Sequence, residues 1–249
     1  MALPTIFPLT TTSRSTKIKS KGRAVVWQPF LVNMKRYTHV IWDFNGTVLD
    51  DMQAGIDSIN TMLAPRGLPT FQGLADYREM FDFPVEDYYR RLGLDFEKES
   101  YHDVLAPMWV ELYLKNSVNA PLFAGVKPLC AALRRAGIRQ SILSASHEGM
   151  LREQLSERGA LDWFDEIWGT GTIHAAGKSA LAAAWRAAHP DDVAVLLGDT
   201  THDHEVASSM GADCILVAAG HHPRHKLEAC GVTVVDSLEE VLPLVLPPL

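Results

Sequence analysis

The sequence predicts an α/β fold, in which a mainly parallel sheet carries helices on both faces and a helical insertion near its start. Two patterns predict this fold. Short apolar, β-branched runs alternate with stretches whose apolar residues lie three and four positions apart, as in repeated strand–helix units. Residues 52–122 show only the helical pattern. Alternating strands and helices favour a parallel sheet, so the helical region is predicted to be inserted into it.

The first predicted strand, 38–42, is an apolar, β-branched run that stops at an acidic turn with a glycine. Within the insertion, the 81–84 stretch (FDFP) is predicted to be a turn. The other predicted strands are 138–144, 166–168, 193–197, 214–217 and 232–235, the predicted helices of the sheet region are 129–136, 150–158, 179–188, 204–210 and 238–241, and those of the insertion are 54–63, 85–92 and 101–114.

Charge is distributed unevenly along the 249 residues, whose formal net charge is −7. Residues 1–36 contain seven of the 23 Lys and Arg and none of the 30 Asp and Glu, so this part carries +7 and the rest −14. An acidic body makes general binding of nucleic acid unfavourable, because that mode needs a cationic face. We interpret residues 1–36 as an unstructured basic leader, which is either an organelle transit peptide or a stretch upstream of a natural start at Met34.

No stretch reaches the roughly 18 apolar residues that a membrane-spanning helix needs, so no membrane association is predicted. The three cysteines, Cys130, Cys214 and Cys230, have no spacing typical of zinc sites or disulfide frameworks. A cytoplasmic location is therefore predicted, with import into an organelle by the leader as the alternative.

Polar residues follow the predicted strands at their carboxyl ends, the edge at which ligands bind to open parallel sheets. The first strand is followed by 43–47 (DFNGT), the second ends at Ser144 and Ala145, and the fourth is followed by 198–203 (GDTTHD). Lys178 opens a helix. These side chains are therefore predicted to lie together at one edge of the sheet.

This set of residue types is typical of a phosphoryl-transfer site. Asp43 offers a carboxylate nucleophile on a tight turn, where Gly46 lets backbone N–H groups approach a phosphate closely. A hard divalent ion, most simply Mg²⁺, would be held by Asp43 and Asp199. Ser144 and Lys178 would hold the remaining phosphate oxygens and offset the charge that develops during transfer.

The four motifs, at Asp43 to Thr47, Ser144, Lys178 and Gly198 to Asp203, resemble those of the haloacid dehalogenase superfamily. The resemblance runs from about Val40 to the C-terminus and looks closest to the phosphoglycolate phosphatase-like branch. It implies a Rossmann-like core formed by 37–51 and 123–249, with 52–122 as a helical cap domain that covers the site. It also implies a two-step hydrolysis through an aspartyl-phosphate on Asp43.

With this resemblance, we predict a Mg²⁺-dependent phosphatase that acts on a small phosphorylated metabolite, with phosphoglycolate as the first candidate. The residues predicted to act in catalysis are Asp43, Asn45 and Lys178, those predicted to bind the substrate are Gly46, Thr47, Ser144, Ala145 and Lys178, and those predicted to bind the metal are Asp43, Asn45, Asp199 and Asp203.

Asn45 departs from the superfamily pattern, which normally has an aspartate two positions after the nucleophile to protonate the leaving group. An amide does not exchange a proton at neutral pH, so this general-acid contribution is missing. Three interpretations follow. The enzyme acts on good leaving groups such as acyl phosphates or pyrophosphate, or Asp50, Asp51 or a cap residue supplies the proton, or the protein is a slow or non-catalytic binder of phosphometabolites. We favour a working, slower hydrolase, because Asp43, Lys178 and Asp199 are retained.

A nucleotide-binding P-loop, a zinc site and a dehalogenase site are each disfavoured. Gly177-Lys178-Ser179 is similar to the end of a nucleotide-binding P-loop, but the required upstream glycine is absent. The ten histidines show no zinc-binding spacing and are interpreted as loop and rim residues. A dehalogenase, which needs no Mg²⁺, is disfavoured by the retained Asp199 and Asp203.

Overall fold

The computed structural model describes residues 37–171 and 178–246, so the predicted leader 1–36 lies outside the described residues. Its six strands form one sheet in the order β3-β2-β1-β4-β5-β6, and all neighbouring strands are parallel. The prediction of a mainly parallel α/β fold is confirmed. The strands are β1 (His39–Trp42), β2 (Arg139–His147), β3 (Glu166–Thr170), β4 (Ala194–Gly198), β5 (Asp213–Val217) and β6 (Thr233–Val235).

The helices of the described part fall into two groups, one in the predicted insertion (52–122) and one that packs around the sheet. Helices α1 to α4 belong to the first group, and we call them the inserted helices. Single turns of other helix types lie at Ala64–Arg66, Tyr101–Leu105, Leu161–Trp163 and Leu238–Glu240. The α-helices are α1 (Met52–Leu63), α2 (Leu74–Met80), α3 (Val85–Arg91), α4 (Ala106–Ser117), α5 (Val126–Arg135), α6 (Glu148–Glu157), α7 (Lys178–Ala188), α8 (Thr201–Ser209), α9 (Arg224–Glu228) and α10 (Leu242–Val245).

The structure differs from the predicted elements mainly at short helices and at one strand end. Helices α2, α9 and α10, which are seven, five and four residues long, were not predicted. The predicted helix 238–241 is a single 3-10 turn at Leu238–Glu240. Strand β2 extends three residues beyond the predicted end at Ser144, with a shift in its pairing to β3 between Leu143 and His147. The 81–84 stretch, which was predicted to be a turn, joins α2 to α3 and contains a cis Phe83–Pro84 bond.

Both faces of the sheet are buried, as expected where helices cover a parallel sheet on both sides. Successive residues of a strand point to opposite faces. Val40 and Trp42 of β1 therefore pack into one apolar cluster with α5 and α6, whereas Ile41 packs into a second cluster with Trp185 of α7. These two layers fix the central strand, and with it the turn that follows β1.

The strand register brings the polar residues of the sheet edge together. Trp42, the last residue of β1, pairs with Ile142 of β2 and Leu197 of β4. Asp43 therefore lies level with Leu143 and Gly198, and the next residues of the two neighbouring strands are Ser144 and Asp199. The site is thus built where β1, β2 and β4 end.

The inserted helices have an apolar core of their own, in which α1 packs against α4. The chain enters and leaves them through two short segments, 48–50 and 121–123, that run side by side. Leu49 and Leu122 form an antiparallel bridge, the Asp50 N–H donates to the Pro121 carbonyl (2.9 Å), and the Phe123 N–H donates to the Val48 carbonyl (3.1 Å). We call this pair of segments the paired linkers.

Of the helices in residues 37–171 and 178–246, none combines the length and the apolar character needed to cross a membrane.

Candidate active site

Asp43 lies at the centre of the candidate site, directly after β1. Its backbone N–H donates to the Leu197 carbonyl (2.8 Å), which extends the ladder to β4 by one residue. Gly46, in the turn that follows, has a positive φ of 79° that favours glycine. The Lys178 ammonium donates to Oδ1 of Asp43, whereas no described residue donates to Oδ2. One carboxylate oxygen of Asp43 is therefore held and the other is free.

Lys178, the first residue of α7, is buried between two carboxylates. Its ammonium donates to Asp43 and also to Oδ1 of Asp203. Burial opposes the charge of the lysine, but the carboxylates of Asp203 and Asp43 outweigh this effect and raise its pKa. Lys178 is therefore a fixed cation at the site.

Asp203 has a supporting position behind Lys178. Its Oδ2 accepts hydrogen bonds from the Thr200 hydroxyl (2.7 Å) and from the backbone N–H groups of Thr200 (3.0 Å) and Asp199 (3.2 Å). Together with Thr200 it forms a capping box at the start of α8. Burial opposes its ionisation, but the charge of Lys178 prevails and lowers its pKa. Asp203 thus anchors both the lysine and the turn that carries Asp199.

Asp199 completes a cluster of three buried carboxylates with Asp43 and Asp203, whose oxygens lie within 4.8 Å of one another. It accepts hydrogen bonds from the Thr47 hydroxyl (2.9 Å) and from the backbone N–H of His221 (2.6 Å). Burial is the main cause that raises the pKa of Asp199 to about 6, and it also raises that of Asp43 well above its usual range. Repulsion from the neighbouring carboxylates adds to both shifts.

The side-chain amide of Asn45 makes hydrogen bonds through both its nitrogen and its oxygen. Its Nδ2 donates to Oδ2 of Asp51 (2.8 Å) and to the Tyr113 hydroxyl (2.6 Å), and its Oδ1 accepts from the Ser146 hydroxyl (2.9 Å). Tyr113 belongs to α4 and also donates to Oδ2 of Asp51 (2.6 Å). Asn45 therefore ties the turn after β1 to an inserted helix and to β2.

Asp51 and His221 form a second buried charged pair next to the carboxylate cluster. The His221 Nε2 lies 3.4 Å from Oδ1 of Asp51, and its Nδ1 lies 2.8 Å from the Tyr77 hydroxyl. Burial disfavours the charged imidazole, yet the bond to Asp51 and nearby carboxylates raise the pKa of His221 to about 9. Burial likewise opposes ionisation of Asp51, but His221, Tyr113 and Asn45 lower its pKa. An ionised Asp51 has no proton to give, which disfavours it as the substitute acid.

A cavity of about 200 Å³ opens from this edge of the sheet towards the inserted helices. Six of the residues singled out in the sequence line it: Asp43, Asn45, Ser144, Ala145, Lys178 and Asp203. The hydroxyl of Thr47 donates instead to Asp199, and Gly46 packs against Asp199 and His221. The structure therefore brings the predicted residues to one place, with Gly46, Thr47 and Asp199 beneath the cavity.

Three residues of the site were not assigned a site role from the sequence: Tyr113, Ser146 and His221. The histidines were interpreted as loop and rim residues, whereas His221 is buried. Ser146 follows Ser144 at the carboxyl end of the second predicted strand, so its position gave a signal that could have identified it. Asp51 was considered as a proton donor and instead accepts hydrogen bonds from Asn45 and Tyr113.

Gly220 packs so closely against the Asp199 side chain that a Cβ atom there would overlap it. We expect Gly220→Ala to displace Asp199 and to lower the free energy of unfolding by about 2 kcal/mol. Denaturant unfolding measures this change. Gly171→Ala is the matched control, because no atom lies within 4 Å of the new Cβ atom. Equal stability of the two variants would contradict the close packing around Asp199.

We expect Asp51→Asn to lower the free energy of unfolding by about 3 kcal/mol. The substitution removes the negative charge that pairs with His221, and it replaces one of the two acceptor oxygens of Asp51 with an amide nitrogen. Denaturant unfolding at neutral pH measures the loss. Asp57→Asn, on the exposed face of α1, is the control and should differ little from the unaltered protein. A stable Asp51→Asn protein would show that the buried network contributes little.

Comparison with known proteins supports the resemblance seen in the motifs. The chain is 28% identical over 213 residues to the tyrosine-protein kinase PtkA of Mycobacterium tuberculosis, covering 82% of this chain and 72% of that protein. It is 24% identical over 214 residues to phosphoglycolate phosphatase 1 of Pseudomonas aeruginosa, covering 82% and 78%. The structure of a predicted phosphatase from Clostridium acetobutylicum matches with a TM-score of 0.68 and 18% identity, covering 83% and 97% of the chains, which shows a shared fold.

The family model described as "Haloacid dehalogenase-like hydrolase" matches residues 40–217, a span that includes all four motifs and the inserted helices. The predicted resemblance to this superfamily and to its phosphoglycolate phosphatase-like branch is confirmed, as is the prediction of a hydrolytic enzyme of the phosphatase type. The chain belongs to the haloacid dehalogenase-like hydrolases.

Proposed function

We propose that this protein is a Mg²⁺-dependent phosphatase that hydrolyses a small phosphate monoester through an aspartyl-phosphate on Asp43. The observation that carries this proposal is the pattern of hydrogen bonds at the Asp43 carboxylate. Lys178 holds Oδ1, no described residue donates to Oδ2, and the side chain lines the cavity. A held carboxylate with one free oxygen has the arrangement that a nucleophile needs.

In the proposed first step, Oδ2 of Asp43 attacks phosphorus while the bond from phosphorus to the ester oxygen breaks. The leaving group takes the electron pair. In the second step, water attacks phosphorus and the bond from phosphorus to Oδ2 breaks. The electron pair of that bond restores the Asp43 carboxylate, and inorganic phosphate leaves with both hydrogens of the water. Lys178 keeps the carboxylate oriented, and Ser144 and Ala145 line the cavity beside it. These residues position the phosphate and exclude alternative orientations.

The carboxylate cluster fits Mg²⁺ by its donor chemistry, since this ion prefers oxygen ligands and carboxylates in particular. Burial and the neighbouring carboxylates raise the pKa values of Asp43 and Asp199, and a bound cation would favour the ionised form of both. Asp43 and Asp199 are the proposed ligands, with Asp203 in support and Asn45 adjacent. When bound, the ion would neutralise charge on the phosphate oxygens during transfer.

The position of the inserted helices supports the predicted division of the chain into a core (37–51 and 123–249) and a cap (52–122). They supply most of the cavity wall on the side away from the sheet. Such a cover limits entry to small molecules and keeps bulk water from the reacting phosphate. The relatives named phosphoglycolate phosphatase make phosphoglycolate the first metabolite to test.

The test is a phosphate-release assay with purified protein, Mg²⁺ and a broad panel of phosphate esters. We expect turnover that stops on chelation with EDTA and returns when Mg²⁺ is restored. Turnover that persists in EDTA would contradict the metal requirement. A panel on which no ester releases phosphate would contradict the phosphatase function.

Binding of phosphometabolites without turnover is the second candidate function, because the Asn45 amide does not transfer a proton at neutral pH and its N–H groups already donate to Asp51 and Tyr113. Calorimetric binding of a phosphate ester by the unaltered protein, with no phosphate released from any ester of the panel, would favour this function over hydrolysis.

A further inference from the structure

We propose that the ester cleaved at this site is a small aryl phosphate, in which the phosphate is attached to a phenolic oxygen. This inference rests on the proposed phosphatase function and names its substrate class. Three independent features of the structure lead to it: the aromatic cavity wall, the charges around the cavity, and the state of Asn45.

The part of the cavity wall that comes from the inserted helices and the segments between them is mainly aromatic. Its rings come from two parts of the inserted helices, the α2–α3 region and the stretch from Tyr101 through α4. Trp109 stacks on Tyr113 with ring centres 4.8 Å apart and an angle of 12° between the planes. Offset and edge-on contacts with such rings favour a flat aromatic ligand. The aromatic residues that line the cavity are Tyr77, Phe81, Phe83, Tyr88, Tyr89, Tyr101, Trp109 and Tyr113.

The size of the cavity matches a single ring. Its volume is about 200 Å³. An apolar protein cavity of about 150 Å³ is enough to bind benzene. One six-membered ring therefore fits between the aromatic wall and Asp43, with its phosphate at the sheet edge.

The charges around the cavity do not favour a substrate with a second anionic group. Among the described residues that line it, Lys178 is the only lysine or arginine, and Asp43 and Asp203 already hold its ammonium. His221 is held by Asp51 and Tyr77. The carboxylate of phosphoglycolate would lose its hydration against aromatic rings without gaining a cation, which is costly.

Asn45 explains why the leaving group should be phenolic. A phenol has a pKa near 10, as in the tyrosine side chain, whereas an aliphatic alcohol resembles water, whose pKa is about 16. When the ester bond to phosphorus breaks, the aryl oxide leaves with the electron pair and takes a proton from water afterwards. An alkoxide would need a proton during bond cleavage, and Asn45 does not act as the general acid that would supply it.

The experiment compares three esters with the Mg²⁺-loaded full chain: phenyl phosphate, benzyl phosphate and phosphoglycolate. Benzyl phosphate has the ring but an aliphatic leaving group. We expect kcat/KM for phenyl phosphate to exceed that for phosphoglycolate by about a hundredfold, the size of a typical general-acid contribution. Benzyl phosphate should have a KM close to that of phenyl phosphate and a lower kcat.

Binding gives a second measurement that does not depend on turnover. We expect calorimetry with Asp43→Asn protein to show tighter binding of phenyl phosphate than of phosphoglycolate. Trp109→Leu should weaken phenyl phosphate binding by about tenfold, as the loss of a ring contact of about 1.4 kcal/mol does. Trp163→Leu is the matched control, because this half-buried tryptophan packs against the sheet core and should leave binding unchanged.

The outcomes separate this inference from the function on which it rests. Turnover of phosphoglycolate at or above the rate of phenyl phosphate would overturn the aryl preference and leave the phosphatase function standing. Failure of all three esters and of a broad panel would overturn the function itself. A phosphotyrosine peptide that equals phenyl phosphate in kcat/KM would overturn the restriction to small molecules.

Discussion

Asp43→Asn is expected to lower kcat for phosphate release by about a thousandfold or more, because removal of a nucleophile abolishes the covalent step. The amide keeps the shape of the side chain and can still accept a hydrogen bond from Lys178. Phosphate release under saturating substrate measures the effect. Capture of the phosphorylated intermediate by acid quenching, seen with the unaltered protein and lost in the variant, identifies the attacked residue.

The fold should survive this substitution. Burial raises the pKa of Asp43, so the ionised carboxylate is disfavoured where it lies, and a neutral amide relieves that cost. Lys178 retains Asp203 as a partner. We therefore expect a thermal midpoint at or above that of the unaltered protein. Asp57→Asn serves as the activity control, and undiminished turnover in Asp43→Asn would refute the assignment of the nucleophile.

Asn45→Asp is expected to raise kcat for aliphatic phosphate esters by about a hundredfold, the range in which general acids act. The new carboxyl would lie beside the carboxylate of Asp51, which now accepts from Asn45 at 2.8 Å. Two acids that share a site cannot both ionise easily, so the pKa of the new group rises and it holds a proton near neutral pH. Benzyl phosphate and phosphoglycolate should gain most, and phenyl phosphate least.

Asn45→Ala is the matched variant for this experiment. It removes the same hydrogen bonds to Asp51, Tyr113 and Ser146 without adding an acid. We expect its rates to fall for all esters. An equal change in the aspartate and alanine variants would show that the rate depends on the amide's contacts rather than on proton transfer.

The sheet and the centre of the site were predictable from the sequence because both depend on local patterns. The apolar run that forms β1 stops at Asp43, and the run that forms β4 stops one residue before Asp199. In a parallel sheet these ends meet at one edge, so two strand assignments place both carboxylates. Asp203 was predicted to bind the metal. In the structure it caps α8 and accepts a hydrogen bond from Lys178, and its role at the metal stays a prediction.

The remaining parts of the site depend on tertiary contacts that leave no local pattern. Tyr113 lies 68 positions from Asn45, and only the packing of α4 against α1 brings its hydroxyl to the turn after β1. His221 lies in a loop after β5, and its burial follows from the close approach of Gly46 and Gly220 to Asp199. No periodicity marks either residue, so sequence reasoning could not place them.

The paired linkers bear on how the inserted helices can move. Two adjacent segments joined by backbone hydrogen bonds resist sliding past each other, so we expect a rigid-body motion of these helices to be a rotation about the two segments. Tyr113 lies on the inserted helices and accepts a hydrogen bond from Asn45 in the turn after β1. Such a rotation would break that bond, so the position of the inserted helices and the position of the turn that carries Asp43 would change together.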